Sequence, residues 1–350
     1  MDVKRLLLLI PLAVLAYLIV VQWNQDYGQV SSPEPEAPSF TASSPNGETQ
    51  ETDPDGLAVP ATSGAAGDVS QAMPGDADSP ASSRDLVAVV TDVLDLRIDP
   101  QGGDIVYAAL PQHRLTLDSE RPYVLLSDNE TRSYVARSGL QLDGQAGRIA
   151  FTPEGTEYRL TEGDNRLEVD LTAEVNGVDI IKRFSFERGS YAVDVNYHLA
   201  NSTEEPVSAR FIGQLARDNS PDPSSGVAMG MSSFLGAAYS TPESRYEKVD
   251  FDDIQRGRFD NVDAQGGWVA IIQHYFVSAW APPQNQQNLY YATTDSRSRN
   301  VAAFAGPVTS VAAEGEARLG ATLYMGPKVQ DYLEAVAPNL RLTVDFGWLW

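Results

Sequence analysis

Residues 174–201 read EVNGVDIIKRFSFERGSYAVDVNYHLAN, and this stretch restricts the fold more than any other in the chain. Apolar and polar residues alternate through VDVNYHLAN, the period of a strand with one face turned to a core. Asn176-Gly177 suits a type I′ hairpin turn, in which both central residues need positive φ, and Arg188-Gly189-Ser190 marks a second reversal. The pattern recurs in DVLDLRIDPQGGDIVYAALP, where Val93, Leu94, Leu96 and Ile98 oppose Ile105, Val106 and Leu110 around a turn at Pro100 to Gly103. Further runs lie at Tyr123 to Leu126, Leu167 to Val175, Val178 to Phe186, Ala209 to Leu215, Trp268 to Trp280, Leu289 to Thr293, Val308 to Ala313 and Ala317 to Leu323. Many strands at close spacing with few helical windows predict an all-β sandwich. No repeat of fixed period is visible, which weighs against a propeller or solenoid.

Composition narrows the partners. A formal charge of −23 opposes binding to a nucleic-acid backbone, which needs clustered Lys and Arg. The absence of cysteine removes disulfides, thiolate nucleophiles and Cys-ligated metals, and fits either the cytoplasm or the bacterial periplasm.

The chain opens with MDVKRLLLLIPLAVLAYLIVVQWNQDYG. Lys4 and Arg5 precede an apolar run from Leu6 to Val21, through Leu9, Leu12, Leu15 and Leu18, with Trp23 and Tyr27 as interfacial anchors. As a helix the run covers about 24 Å, nearly a bilayer core. No A-x-A cleavage pattern follows it, so it reads as an uncleaved signal anchor with a cytoplasmic N-terminus. Pro11 is tolerated within such a span. From residue 28 to 84 the chain is rich in Pro, Ser, Ala, Gly and acid, with almost no bulky apolar residues, and reads as a disordered tether.

One helix stands out near the end. In MGPKVQDYLEAVAPNL, Pro327 suits a first helical position, Val329, Tyr332, Leu333 and Val336 share one face, and Pro338 stops the helix, giving an expected span of Lys328 to Ala337. DFGWLW then places Phe346, Trp348 and Trp350 as interfacial aromatics at the entrance to an expected second membrane span. The kinase reading of DFG fails, because no glycine-rich loop, strand lysine or HRD-type loop accompanies it.

Catalytic signals are absent: there is no G-x-S-x-G, H-E-x-x-H, P-loop or dinucleotide fingerprint. His113, His198 and His274 read as packed or rim residues, the last two within strands, and Asp252-Asp253 as part of a solvated loop. GGWVAIIQHYFVSAWAPP reads as a central core strand ended by Pro282 and Pro283.

The N-terminal anchor, GGDIVYAALP, GGWVAIIQHYFVSAW and LYMGPKVQDYLEAVAPNLRLTVDFGWLW occur in order over nearly the whole chain, the tether excepted. The ordered set resembles the YidC family of membrane protein insertases of Gram-negative bacteria. The resemblance implies a first transmembrane helix (1–27), a linker (28–84), a periplasmic β-supersandwich similar to sugar mutarotases (85–326), an amphipathic helix packed on it (327–338) and the approach to a second span (339–350). It further implies a non-enzymatic protein without cofactor, catalytic residue or metal. Expected partners are nascent inner-membrane proteins, the lipid bilayer and the Sec translocon, SecYEG with SecD and SecF. The family's insertase chemistry belongs to a five-helix membrane core that would follow Trp350, so no residue of its arginine-bearing groove can be assigned. The competing reading is a membrane-tethered carbohydrate-binding or epimerase-like sandwich, since one fold hosts many functions.

Overall fold

The hairpin turn at Asn176-Gly177 forms as expected, with φ of 52° and 79°, and the chain on either side is extended. This computed structural model describes residues 86–115, 120–143, 145, 147–223 and 234–344. The anchor residues Lys4 to Trp23, the tether, and Phe346, Trp348 and Trp350 lie outside the described residues.

The strands in chain order are β1 (Val87–Val90), β2 (Asp95–Asp99), β3 (Asp104–Arg114), β4 (Pro122–Asn129), β5 (Arg132–Leu142), β6 (Thr152–Pro153) and β7 (Glu157–Arg159). There follow β8 (Arg166–Val175), β9 (Val178–Glu187), β10 (Ala192–Asn201), β11 (Val207–Arg217), β12 (Gly236–Ser240) and β13 (Glu247–Val249). Helix α1 (Phe251–Gln255) leads into β14 (Val262–Gln265), β15 (Trp268–Ile272), β16 (Phe276–Ala281) and β17 (Gln287–Thr294). Then come β18 (Asn300–Ala305), β19 (Thr309–Val311), β20 (Glu316–Pro327), helix α2 (Gln330–Val336) and a 3-10 turn, Leu340–Thr343.

Two large sheets result. An 11-stranded sheet runs β14-β17-β18-β11-β5-β4-β3-β2-β1-β7, with β19 added on β11. A 9-stranded sheet runs β13-β12-β15-β16-β20-β10-β9-β8-β6. Pairing is antiparallel except between β1 and β7. Aromatic contacts tie the two sheets together: Tyr197 on β10 meets Phe211 on β11 edge-on at 5.7 Å, and Phe276 on β16 stacks on Tyr123 of β4 at 4.1 Å. Trp280 closes the same layer, its indole N–H donating to the Gln214 carbonyl at 3.1 Å. Strand β10 buries alternate residues, as its sequence requires, whereas β18 is buried on both faces. Ala302 and Phe304 face the main core, and Val301, Ala303 and Ala305 join a smaller cluster on the other side with Ile212, Leu289 and Tyr291.

Three expectations need correction. Trp268 to Trp280 is a hairpin, β15 and β16, and His274 lies in its turn. The reversal closes with the Gln273 N–H donating to the Phe276 carbonyl at 3.0 Å. Asp252 and Asp253 belong to α1, whose Phe251 and Ile254 are buried while the acids occupy its first turn, a favourable end of the helix for negative charge. The terminal helix is shorter than Lys328 to Ala337, because Pro327 remains in β20 opposite Phe276 and α2 begins only at Gln330.

Candidate functional site

Strand β20 leaves the middle of the 9-stranded sheet and passes through Lys328 and Val329 into α2, so the helix sits at one end of the sandwich. Of the four residues expected to share its inner face, Leu333 is fully buried, Val336 half-buried, and Val329 and Tyr332 are 42% and 47% exposed. The buried edge continues through Ala337 and Leu340, after Asn339 reverses the chain in the left-handed region at φ 65°. A helix of seven residues has little stability of its own, so its position depends on these anchors.

Hydrogen bonds hold the chain on both sides of the helix. The Lys328 N–H donates to the Tyr275 carbonyl at 2.9 Å, the Tyr324 hydroxyl to the Pro327 carbonyl at 2.6 Å, and the Trp268 indole N–H to the Pro338 carbonyl at 3.0 Å. The Glu334–Arg341 pair, 3.8 Å apart and well exposed, adds little.

Aromatic rings extend from the helix into the core. Tyr332 lies 5.9 Å from Tyr191, which approaches Tyr324 at 6.4 Å and His113 at 5.9 Å. His113 Nε2 is 3.0 Å from the Tyr191 hydroxyl, and its ring meets Phe276 edge-on. Burial lowers the His113 pKa and raises that of Tyr191, so both are neutral at pH 7. A pocket of about 380 Å³ beside the helix is lined by Glu187, Arg188, Tyr191, Thr322, Tyr332 and Val336.

The hairpin turn carrying His274 is fastened from elsewhere in the chain. The Asp222 carboxylate accepts hydrogen bonds from the His274 N–H at 2.8 Å, the Tyr123 hydroxyl at 3.0 Å and Gln273 Nε2 at 3.3 Å. The His274 ring stacks on Tyr275 at 4.0 Å.

The third histidine, His198, lies on the outer face of the 9-stranded sheet beside a hollow of about 490 Å³ with Asp179, Arg183, Glu316 and Arg318. Burial, then the charges of Arg318 and Arg183, lower its pKa. The three histidines therefore occupy separate environments, and no cluster of metal-ligating side chains occurs among the described residues.

Sequence reasoning missed Lys182, the most deeply buried charge on β9. It is fully buried, and Nζ donates to the carbonyls of Gly102 and Gly103 at 2.8 Å and of Ser138 at 2.9 Å. The rings of Phe151, Phe184 and Tyr197 surround it. Burial pulls its pKa well below the ordinary lysine value, while Asp104 pulls the other way. Three carbonyl acceptors surround Nζ, so the group ties β9 to the 11-stranded sheet. Gly103 is required here, since a Cβ would come within 2.8 Å of the lysine side chain. The available signal was phase: Lys182 takes an inward position between Ile180 and Phe184.

This geometry defines a large two-sheet β-sandwich domain with a helix docked over one end. The YidC periplasmic domain model matches residues 86–350, and the chain belongs to that family. A membrane protein insertase YidC from Stutzerimonas stutzeri strain A1501 is 44% identical over 356 residues, covering 100% of this chain and 63% of the relative. Its counterpart from Ectopseudomonas mendocina strain ymp is 40% identical over 381 residues, covering 100% of this chain and 64% of the relative. The chain thus spans somewhat under two thirds of the length of these curated relatives. Among solved structures, a galactose mutarotase related enzyme from Lactobacillus acidophilus aligns with a TM-score of 0.41 and 8% identity, covering 69% of this chain and 97% of the other.

Proposed function

We propose that this chain is the anchor and periplasmic portion of an inner-membrane protein insertase, which assists insertion, folding and assembly of integral membrane proteins alone or with the Sec translocon. The observation that carries the reading is the family match over residues 86–350, together with relatives named insertases that align with the whole chain. In this reading residues 1–27 anchor the protein with its N-terminus in the cytoplasm, 28–84 form the tether, 85–326 the periplasmic sandwich and 327–338 the closing segment that carries α2 (Gln330–Val336), with 339–350 leading to a second span. Lys4, Arg5 and the leucine-rich run supply the anchor, and Trp348 and Trp350 the interfacial belt. The periplasmic surface is where SecD and SecF would dock, and nascent inner-membrane proteins are the clients. The action is non-covalent, driven by partitioning of client segments into lipid. The relatives' names do not favour the carbohydrate-binding alternative.

The test is depletion of the full-length protein in its host. Insertion of small inner-membrane subunits should fall and be restored by the plasmid-borne gene; normal insertion after depletion, with no paralogue present, overturns the reading.

A further inference from the structure

Among the described residues, five large apolar side chains stand out in solvent: Ile181, Tyr275, Val308, Val329 and Tyr332. Three of them adjoin. Val329 and Tyr332 lie three positions apart at the start of α2, and the Lys328 N–H is bonded to the Tyr275 carbonyl, which places the tip of the β15–β16 hairpin beside that first turn. Both tyrosines are braced from behind, Tyr332 by Tyr191 and Tyr275 by the stacked His274.

We propose that Tyr275, Val329 and Tyr332 form a foot that rests in the headgroup layer of a lipid bilayer and holds the sandwich at a fixed tilt over it. Tyrosine, with an apolar ring and a polar tip, suits that layer better than either water or hydrocarbon. The chain length fits the same occupant. Val344 is the last described residue, and four residues of extended chain reach at most about 14 Å to Trp348, the residue assigned above to the membrane boundary. The 3-10 turn that Val344 ends packs on α2, which puts the foot close to lipid, and the inference rests on that assignment of Trp348. Charge complementarity is not the attraction, because the chain carries a net −23; contact by ring insertion is accordingly insensitive to salt and to anionic lipid content.

Residues 1–350 contain no cysteine, so once any thiol beyond Trp350 is replaced a single introduced cysteine gives unique labelling. Full-length protein in nanodiscs would carry an environment-sensitive fluorophore on Tyr275→Cys, Tyr332→Cys, Ile181→Cys or Trp348→Cys, one at a time. Ile181 pairs with His198 and is the control, six positions along β10 and about 20 Å from the strand end next to Tyr191. Headgroup-level nitroxide lipids should quench the labels at 275 and 332 at least about threefold more than the control, unchanged by added salt. Quenching at 275 and 332 no stronger than at 181 overturns the foot, as does shielding of both from lipid and aqueous quenchers, which would mean that a protein partner or second copy covers them. The label at 348 separates the two readings: lipid contact there without contact at 275 and 332 refutes the foot alone, and aqueous exposure there refutes the second span.

Discussion

Leu333→Ala should release α2 without unfolding the sandwich. Leu333 is the only fully buried side chain within the helix. Truncating a buried leucine costs about 3 kcal/mol, the lost transfer energy plus a cavity that the rigid sheet cannot refill. A seven-residue helix has no propensity reserve against that loss, so the docked state falls by a factor of about 100 relative to the released one. The β10–β20 ladder does not depend on the helix and should keep its stability. Hydrogen exchange reads both. The Leu333 N–H, bonded to the Val329 carbonyl, and the Ala337 N–H, bonded to the Leu333 carbonyl, should lose about two orders of magnitude of protection, while amides paired across β10 and β20 keep theirs. Unchanged protection at 333 and 337 would refute the argument that Leu333 is the decisive one among the helix's anchors. An equal loss across β20 would refute its independence from the sheet.

Other outcomes follow from the buried polar groups. Lys182→Met should lower stability by about 2–4 kcal/mol in urea denaturation, because the Gly102 and Gly103 carbonyls lose their donor while Ser138 keeps the Tyr197 hydroxyl at 3.0 Å. A variant as stable as the parent would show that the buried amine is held at a net cost. Stability should also decline as pH falls below about 6.5, since His113 and His198 both have pKa values below the ordinary histidine value and the unfolded chain binds protons first. The urea midpoint should be lower at pH 5.5 than at 7.5, and a His113→Gln, His198→Gln double variant should flatten that difference; an identical slope would place the protonation elsewhere.

Local chemistry explains which parts of the fold are legible in the sequence. The β8–β9–β10 hairpins can be read because Asn176-Gly177 and Gly189 supply positive φ where the chain turns, and because apolar residues keep one phase between those turns. The reversal between β15 and β16 cannot be read this way. Its turn, Gln273 to Tyr275, contains no Gly, Pro or Asn and is fixed by Asp222, 52 positions before His274. The helix shows the same limit. The spacing of Val329, Tyr332, Leu333 and Val336 marks an apolar face, but how much of it is buried depends on Pro327 remaining paired with Phe276, which delays the first helical turn. Lys182 was legible in principle from its inward phase, but its three carbonyl partners come from other strands and turns far away in sequence.

The place of β20 has a consequence for how the domain is made. It is the last described strand in the chain, yet it lies between β16 and β10, in the middle of the 9-stranded sheet. The units on either side, β8 to β10 and β12, β13, β15 and β16, can assemble from neighbouring segments, but they share no edge until residues 316–327 arrive between them. A chain still emerging from the ribosome, or still being threaded across a membrane, therefore carries two half-sheets with unpaired edges, the kind of intermediate that recruits chaperones and aggregates without them. Closure waits for the last described strand, just before α2 is laid down, so a nascent chain halted before residue 316 should remain protease-sensitive however many of the earlier strands have been exported.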